Sequence, residues 1–218
     1  EHMGAWKVGT PVEWQAVQPA VAGNRVSLGT RKTDQAHLCL AMDGVSSVAP
    51  DRYAVDLMNT VMGEGMSSRL FLEIREKRGL AYDIHSGVAF YSDCGAFIVE
   101  SGIDPARIDE AIPVILGELG KMRDGVTEAE WAQARELTKG RMMLRMEESR
   151  AVTSFLGIQE LLRDKVESVD AVIEKIEAVT LDDIKRVANR IISAENLVLA
   201  VVGPFDDASR FEKLLKFE

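Results

Sequence analysis

Met62–Tyr82 reads MGEGMSSRLFLEIREKRGLAY and carries more information than the rest of the chain together. Gly63 and Gly65 allow positive φ and close backbone approach. Ser67 is placed to cap a helix whose apolar positions are Leu70, Phe71 and Ile74. Lys77 and Arg78 suit the negative end of that helix, and Gly79 suits its stop. The spacing predicts a helix from about Ser68 to Arg78. Tyr82 then opens an alternating strand, with Tyr82, Ile84, Ser86, Val88 and Phe90 on one face.

Working outward, His37–Met42 (HLCLAM) is a short apolar run that predicts a strand, and Pro50-Asp51 opens a helix through Val55, Leu57, Met58 and Val61. Beyond Phe90, Ser92-Asp93-Cys94-Gly95 turns the chain into a returning strand over Phe97–Ser101. Asp104-Pro105 starts a helix carrying Ile108, Ile112, Ile115, Leu116 and Leu119. Thr127 and Glu130 form a capping box for a long helix reaching about Glu148. Further helices are predicted over Val152–Arg163, Val169–Ala178 and Asp182–Ile192, the last opened by Thr180 and Asp183. Asn196–Val202 (NLVLAVV) is a closing strand ended by Gly203-Pro204.

The order β-α-α-β-β-α-α-α-α-α-β predicts an α+β fold, a largely antiparallel sheet with helices packed on one face. Residues 35–204 form the domain. Residues 1–34 hold Pro11, Pro19, Gly23 and Gly29 and read as a lead-in segment or edge strand. Their opening, Glu1-His2-Met3-Gly4, reads as a tag scar. Residues 205–218 form a C-terminal tail, expected to be helical.

Loop, helix, arginine, stop glycine and tyrosine, in this order, resemble a signature of the pitrilysin and mitochondrial processing peptidase family, the inverted-motif zinc proteases. The likeness runs from roughly Gln35 to Pro204 and is to the C-terminal, non-catalytic half of those two-half chains. The resemblance implies that Arg75, and Tyr82 seven residues later in REKRGLAY, help hold a substrate peptide. It also implies what lies elsewhere. The first half of the family carries H-x-x-E-H, with two zinc-binding histidines and a base on one helix face. Here the histidines are His2, His37 and His85, and no two stand four apart. The chain by itself is therefore expected to hold no complete catalytic set, no metal site and no cofactor, with zinc in the missing catalytic half. Expected partners are that N-terminal half or a partner subunit, a peptide substrate, and a second copy of the chain. The alternative is a proteolytically inactive structural or assembly subunit of the same family, as in its respiratory-complex core members.

Composition narrows the remaining classes. A net charge of −9 provides no basic footprint for nucleic acid. A hydrophobic content of 46% over 218 residues readily fills a core. No apolar run reaches about 18 residues, so no membrane span is expected. No visible signal peptide favours the cytoplasm, although a tag scar leaves the native compartment open. Two cysteines, Cys39 and Cys94, do not make a disulfide framework and read as buried, inert thiols.

Each candidate residue also has a plainer reading. A cation near a helix end answers the macrodipole, and a tyrosine in a strand packs. Glu64–Ser68 lacks the lysine of a phosphate loop and reads as a turn between helices. His37 and Cys39 share a strand face as a packed core pair, and His85, on the face opposite Tyr82, is structural. Met142, Met143 and Met146 read as core filler, and Trp131 as packing its helix onto neighbours.

Overall fold

The computed structural model describes residues 4–7, 9–18, 25–163 and 165–217. Five strands form one sheet: β1 (Val26–Thr30), β2 (Ala36–Asp43), β3 (Ala81–Phe90), β4 (Gly95–Ile103) and β5 (Val198–Gly203). Their order is β1-β5-β2-β4-β3, with β3 and β1 at the two edges. Every pairing is antiparallel except β1 with β5. Period-two alternation sends Leu38, Leu40, Val99, Leu199 and Val201 into the core. The opposite face carries His37, Cys39, Glu100, Ala200 and Val202, all exposed or half-buried. His37 and Cys39 thus share a face as expected, but it is the outer one, not the core. Both cysteines are half-buried rather than buried.

Among the described residues, seven α-helices accompany the sheet: α1 (Arg52–Gly63), α2 (Ile108–Asp124), α3 (Glu128–Arg145), α4 (Ser149–Leu162), α5 (Val169–Glu177), α6 (Leu181–Ile191) and α7 (Ser209–Leu214). A π-helix, Phe71–Lys77, follows α1. The core sits between the sheet and these helices. It takes Val55, Leu57 and Met58 from α1 and Ile108, Ile112, Ile115 and Leu119 from α2, all with no exposed surface. Burying each such side chain contributes about 1.5–3 kcal/mol. The sheet reaches back to Val26, where β1 is an edge strand, and the core takes in Phe211 and Leu215 from the tail. The readings placed on residues 1–3, Pro19 and Gly23 lie outside the described residues.

Local signals set most helix starts. Thr127 Oγ1 accepts from the Glu130 N–H while the Glu130 carboxylate accepts from Thr127 N–H. Thr180 and Asp183 make the same reciprocal pair. The Asp104 carboxylate accepts from Ala106 N–H, and Pro105 opens a 3₁₀ turn that runs into α2. Trp131 packs on the core and donates from Nε1 to the Val179 carbonyl at 3.0 Å. Met143 departs from its core-filler reading: it is 61% exposed near the end of α3.

Candidate functional site

Arg75 sits on the π-helix. The segment begins near Ser68, whose carbonyl accepts the first backbone bond, from Leu72 N–H. Ser68 also donates its hydroxyl to the Gly65 carbonyl, while Ser67 accepts from Gln133 Nε2. The cap position therefore falls on Ser68, one residue after the expected Ser67. From Phe71 the ladder widens to the π pattern, and at the end Leu80 N–H reaches the Ile74 carbonyl, six residues back. Gly79 makes that exit possible with φ +57°, the left-handed region that favours glycine. Local π geometry is rare and recurs at functional sites.

Tyr82 sits on a β-bulge. Ala81 pairs with Ile103 and Asp83 with Gly102, so Tyr82 is the extra residue on β3. Ala81 and Ile84 are both buried, three residues apart, and the two residues between them are turned outward. Tyr82 is 77% exposed. The expected face shared with Ile84 and Ser86 is thus corrected: the bulge moves Tyr82 into the exposed set that includes Asp83 and His85. His85 is accordingly not opposed to Tyr82 by simple alternation. Its ring nitrogens lie 3.7 Å from Asp83 Oδ2 and 3.4 Å from Glu100 Oε2.

The two irregularities bring the expected pair together. The Arg75 guanidinium carbon lies 4.8 Å from the Tyr82 ring centroid and 4.9 Å from that of Phe71. Two ring faces hold the cation through their quadrupoles. Among the described residues its nearest carboxylate oxygen is Glu76 Oε1, 3.9 Å from Nε, beyond hydrogen-bond length. The guanidinium is oriented by stacking, and its N–H donors remain open to an incoming acceptor. A planar five-donor fork of this kind suits peptide carbonyls and carboxylates. The exposed phenol beside it adds one donor, and among the described residues β3 is an edge strand of the sheet.

Sequence reasoning missed the residues that fix this pair. Arg107 Nη1 donates to the carbonyls of Arg78 (3.3 Å) and Gly79 (3.0 Å), tying the turn between Arg75 and Tyr82 to the start of α2. Arg69 clamps Glu130 with Nε to Oε1 at 2.7 Å and Nη2 to Oε2 at 2.9 Å. This clamp anchors the turn that leads into the π-helix to α3. Chiefly through Arg69, with Thr127, it draws the Glu130 carboxyl down to about 2. Glu73 receives Lys77 and Arg78, both at 2.9 Å. Gly63 is the last residue of α1, and a Cβ there would stand 2.2 Å from Ser86 N. Close approach, not positive φ, is its use; beside it Ser86 donates to Asn59 Oδ1 at 2.7 Å. Of these, Gly63 was legible as one of two glycines in the loop, Glu130 as half of a capping box, and Lys77 and Arg78 as helix-end cations; Arg69, Glu73 and Arg107 left no signal in the sequence.

Among the described residues no group of three or more His, Cys, Asp or Glu side chains is placed to hold a metal ion, and no helix is long and apolar enough to cross a membrane. A guanidinium beside a phenol can donate hydrogen bonds and stabilise negative charge. A family model described as the peptidase M16 inactive domain matches residues 1–138. The chain belongs to that family. M16 relatives include an uncharacterized zinc protease of Streptomyces coelicolor, 37% identical over 187 residues, which are 85% of this chain and 40% of that protein. The uncharacterized zinc protease YmxG of Bacillus subtilis is 33% identical over 175 residues, 80% of this chain and 42% of that protein. The chain thus spans less than half the length of these curated relatives. A solved M16 inactive domain from Pseudomonas fluorescens superposes with a TM-score of 0.80 at 23% identity, over 90% of this chain and 48% of that one. The likeness to a non-catalytic, C-terminal M16 half holds, as does the α+β fold.

Proposed function

We propose that this M16 domain is the substrate-holding, non-catalytic half of a zinc metalloendopeptidase that cleaves peptides or unfolded segments. The observation that carries the reading is the Arg75–Tyr82 stack at the edge strand β3. An extended peptide adds to such an edge through its own backbone. Arg75 then binds a carbonyl of that peptide, and the Tyr82 hydroxyl donates to a neighbouring carbonyl or to the oxyanion formed from it. Zinc and its general base come from the catalytic half, on the same or another chain. The names of the relatives, zinc proteases more than twice the length of the matched region, support that division of labour.

Association with a second half is supported by apolar side chains that this chain leaves open. Met143 and Leu144 on α3 and Leu156, Leu161 and Leu162 on α4 are 44–82% exposed. Exposed apolar patches mark interaction surfaces.

Kinetics on the assembled peptidase test the reading. Arg75→Ala and Tyr82→Phe should each lower kcat/KM by roughly ten- to a thousand-fold, the scale of losing one transition-state donor. Melting temperatures should hardly move, because Tyr82 is exposed and keeps its ring, and Arg75, half-buried near a helix end, carries no buried hydrogen bond among the described residues. Near-normal turnover in Tyr82→Phe, or a collapse of melting in Arg75→Ala, would return the pair to a packing role.

A further inference from the structure

Four arginines of this acidic chain converge on one cleft, and neither Arg75 nor Tyr82 lines it. A cavity of about 390 Å³ opens between α1, α3, α4 and α5. Its walls are apolar: Met142, Met146, Phe155, Ile158, Val172 and Ile176. Arg52, Arg141, Arg145 and Arg163 also line it, with two carboxyl groups, Asp56 and Glu64. Glu64 is fully engaged, by Arg141 Nη1 at 2.7 Å and Asn59 Nδ2 at 2.6 Å. Asp56 stands 4.0 Å from Arg52 Nε, too far for a hydrogen bond. That Nε is buried and has no partner among the described residues. Burial raises the Asp56 carboxyl to about 7, against the pull of Arg52 and with a push from Glu64, so it cancels only part of the arginine charge near neutral pH. Arg145 has no carboxylate within ion-pair reach among the described residues and is exposed. The cleft combines an apolar interior with surplus positive charge in a chain of net charge −9.

We propose that this cleft is a binding site for a small carboxylate carried on an apolar body. A medium-chain fatty acid and the carboxyl-terminal residue of a short peptide share that chemistry. The volume lies in the range of ligand pockets, about 300–1,000 Å³. Apolar walls supply non-directional affinity, and guanidinium forks select the carboxylate. An uncharged analogue of the same body forfeits the second part, and a cationic one is repelled. α4 closes one side loosely, since it buries only Ala151 and Gln159 of its 14 residues. A ligand there covers Ile158, 55% exposed, beside Phe155, which already packs on the core.

Calorimetric titration of the chain at pH 6.5, where the Asp56 carboxyl holds its proton in good part, with four probes tests the site: decanoate, decanol, acetyl-Leu-Phe with a free carboxylate, and its amide. The site predicts one equivalent of a carboxylate probe bound, with its uncharged counterpart at least roughly tenfold weaker. Tighter decanoate assigns the site to fatty acids; tighter acetyl-Leu-Phe assigns it to peptide termini. Arg145→Glu should weaken the bound carboxylate by roughly tenfold or more, leave the uncharged probes unchanged and keep the parent melting curve, because Arg145 faces solvent. Ile158→Ser should weaken charged and uncharged probes together, and Arg75→Ala neither. Failure of both carboxylates to bind more tightly than about 1 mM overturns the proposal. So does equal binding of charged and uncharged probes, or undiminished binding by Arg145→Glu.

Discussion

Arg75 is oriented by aromatic faces, and Tyr82 reaches solvent because one extra residue turns it out of the strand's alternation. If both touch one bound peptide, their contributions to turnover are coupled. The double variant Arg75→Ala/Tyr82→Phe should lose less in kcat/KM than the product of the single losses, because removing the ring's hydroxyl matters less once the cation is gone. Steady-state kinetics on the four proteins reads the coupling directly, and strict multiplicativity would separate the two residues. Asp56 provides a second test at this scale. Its folded pKa rises from 3.8 to about 7, chiefly through burial. The folded state therefore holds a proton that the unfolded chain releases, and stability falls as pH rises between about 4 and about 7. Asp56→Asn removes that penalty. It should raise the melting temperature by a few degrees at pH 8 and leave it near the parent value at pH 4. A gain of equal size at both pH values would point to a cause other than ionisation.

The elements around the pair hold by a few local devices. Gly79 at φ +57° ends the π-helix, and a Cβ added there would meet nothing within 4 Å. Gly79→Ala thus isolates the backbone cost, about 1–2 kcal/mol, or a few degrees in melting temperature for a chain of this size. An unchanged melt would mean the turn relaxes freely. The Arg69–Glu130 clamp is the other device. Glu130 ionises near 2 in place of its ordinary 4.5, so its stabilisation is fully present above about 4.5 and is lost as pH falls toward 2. Glu130→Gln should cost roughly 1–3 kcal/mol at pH 7. Denaturation curves of variant and parent should converge near pH 2. Devices that act within four residues were legible in the sequence: Thr127 with Glu130, Thr180 with Asp183, Asp104 with Pro105, and the glycine stop at Gly79. The strands followed from their apolar runs. The π widening at Arg75 and the bulge at Tyr82 were not legible, since register against β4 and packing onto β3 decide them. The site pair was found through its seven-residue spacing in a family pattern, whereas its exposure and its stacking depend on those two irregularities. The Arg69 and Arg107 tethers join residues 61 and 28–29 apart, a distance over which side-chain pattern carries no signal.

Among the described residues, the molecule is a sheet covered by helices on one side, with β3 as an edge strand and apolar side chains left open on α3 and α4. Those features suit one half of a larger M16 protein, and the relatives are more than twice the length of the matched region. The central claim is that this half binds substrate and the other half performs the chemistry. Its most direct test is turnover of a fluorogenic peptide by three samples: this chain, a half bearing H-x-x-E-H from the same protein or its partner subunit, and the two mixed, with bound zinc measured in each after purification without a metal-chelating column. The account predicts less than stoichiometric zinc and no turnover for this chain. It predicts chelator-sensitive turnover for the mixture, far above that of the zinc-bearing half alone and reduced by Arg75→Ala. One tightly bound zinc with chelator-sensitive turnover in this chain by itself, or a zinc-bearing half whose activity is indifferent to its addition, would contradict it.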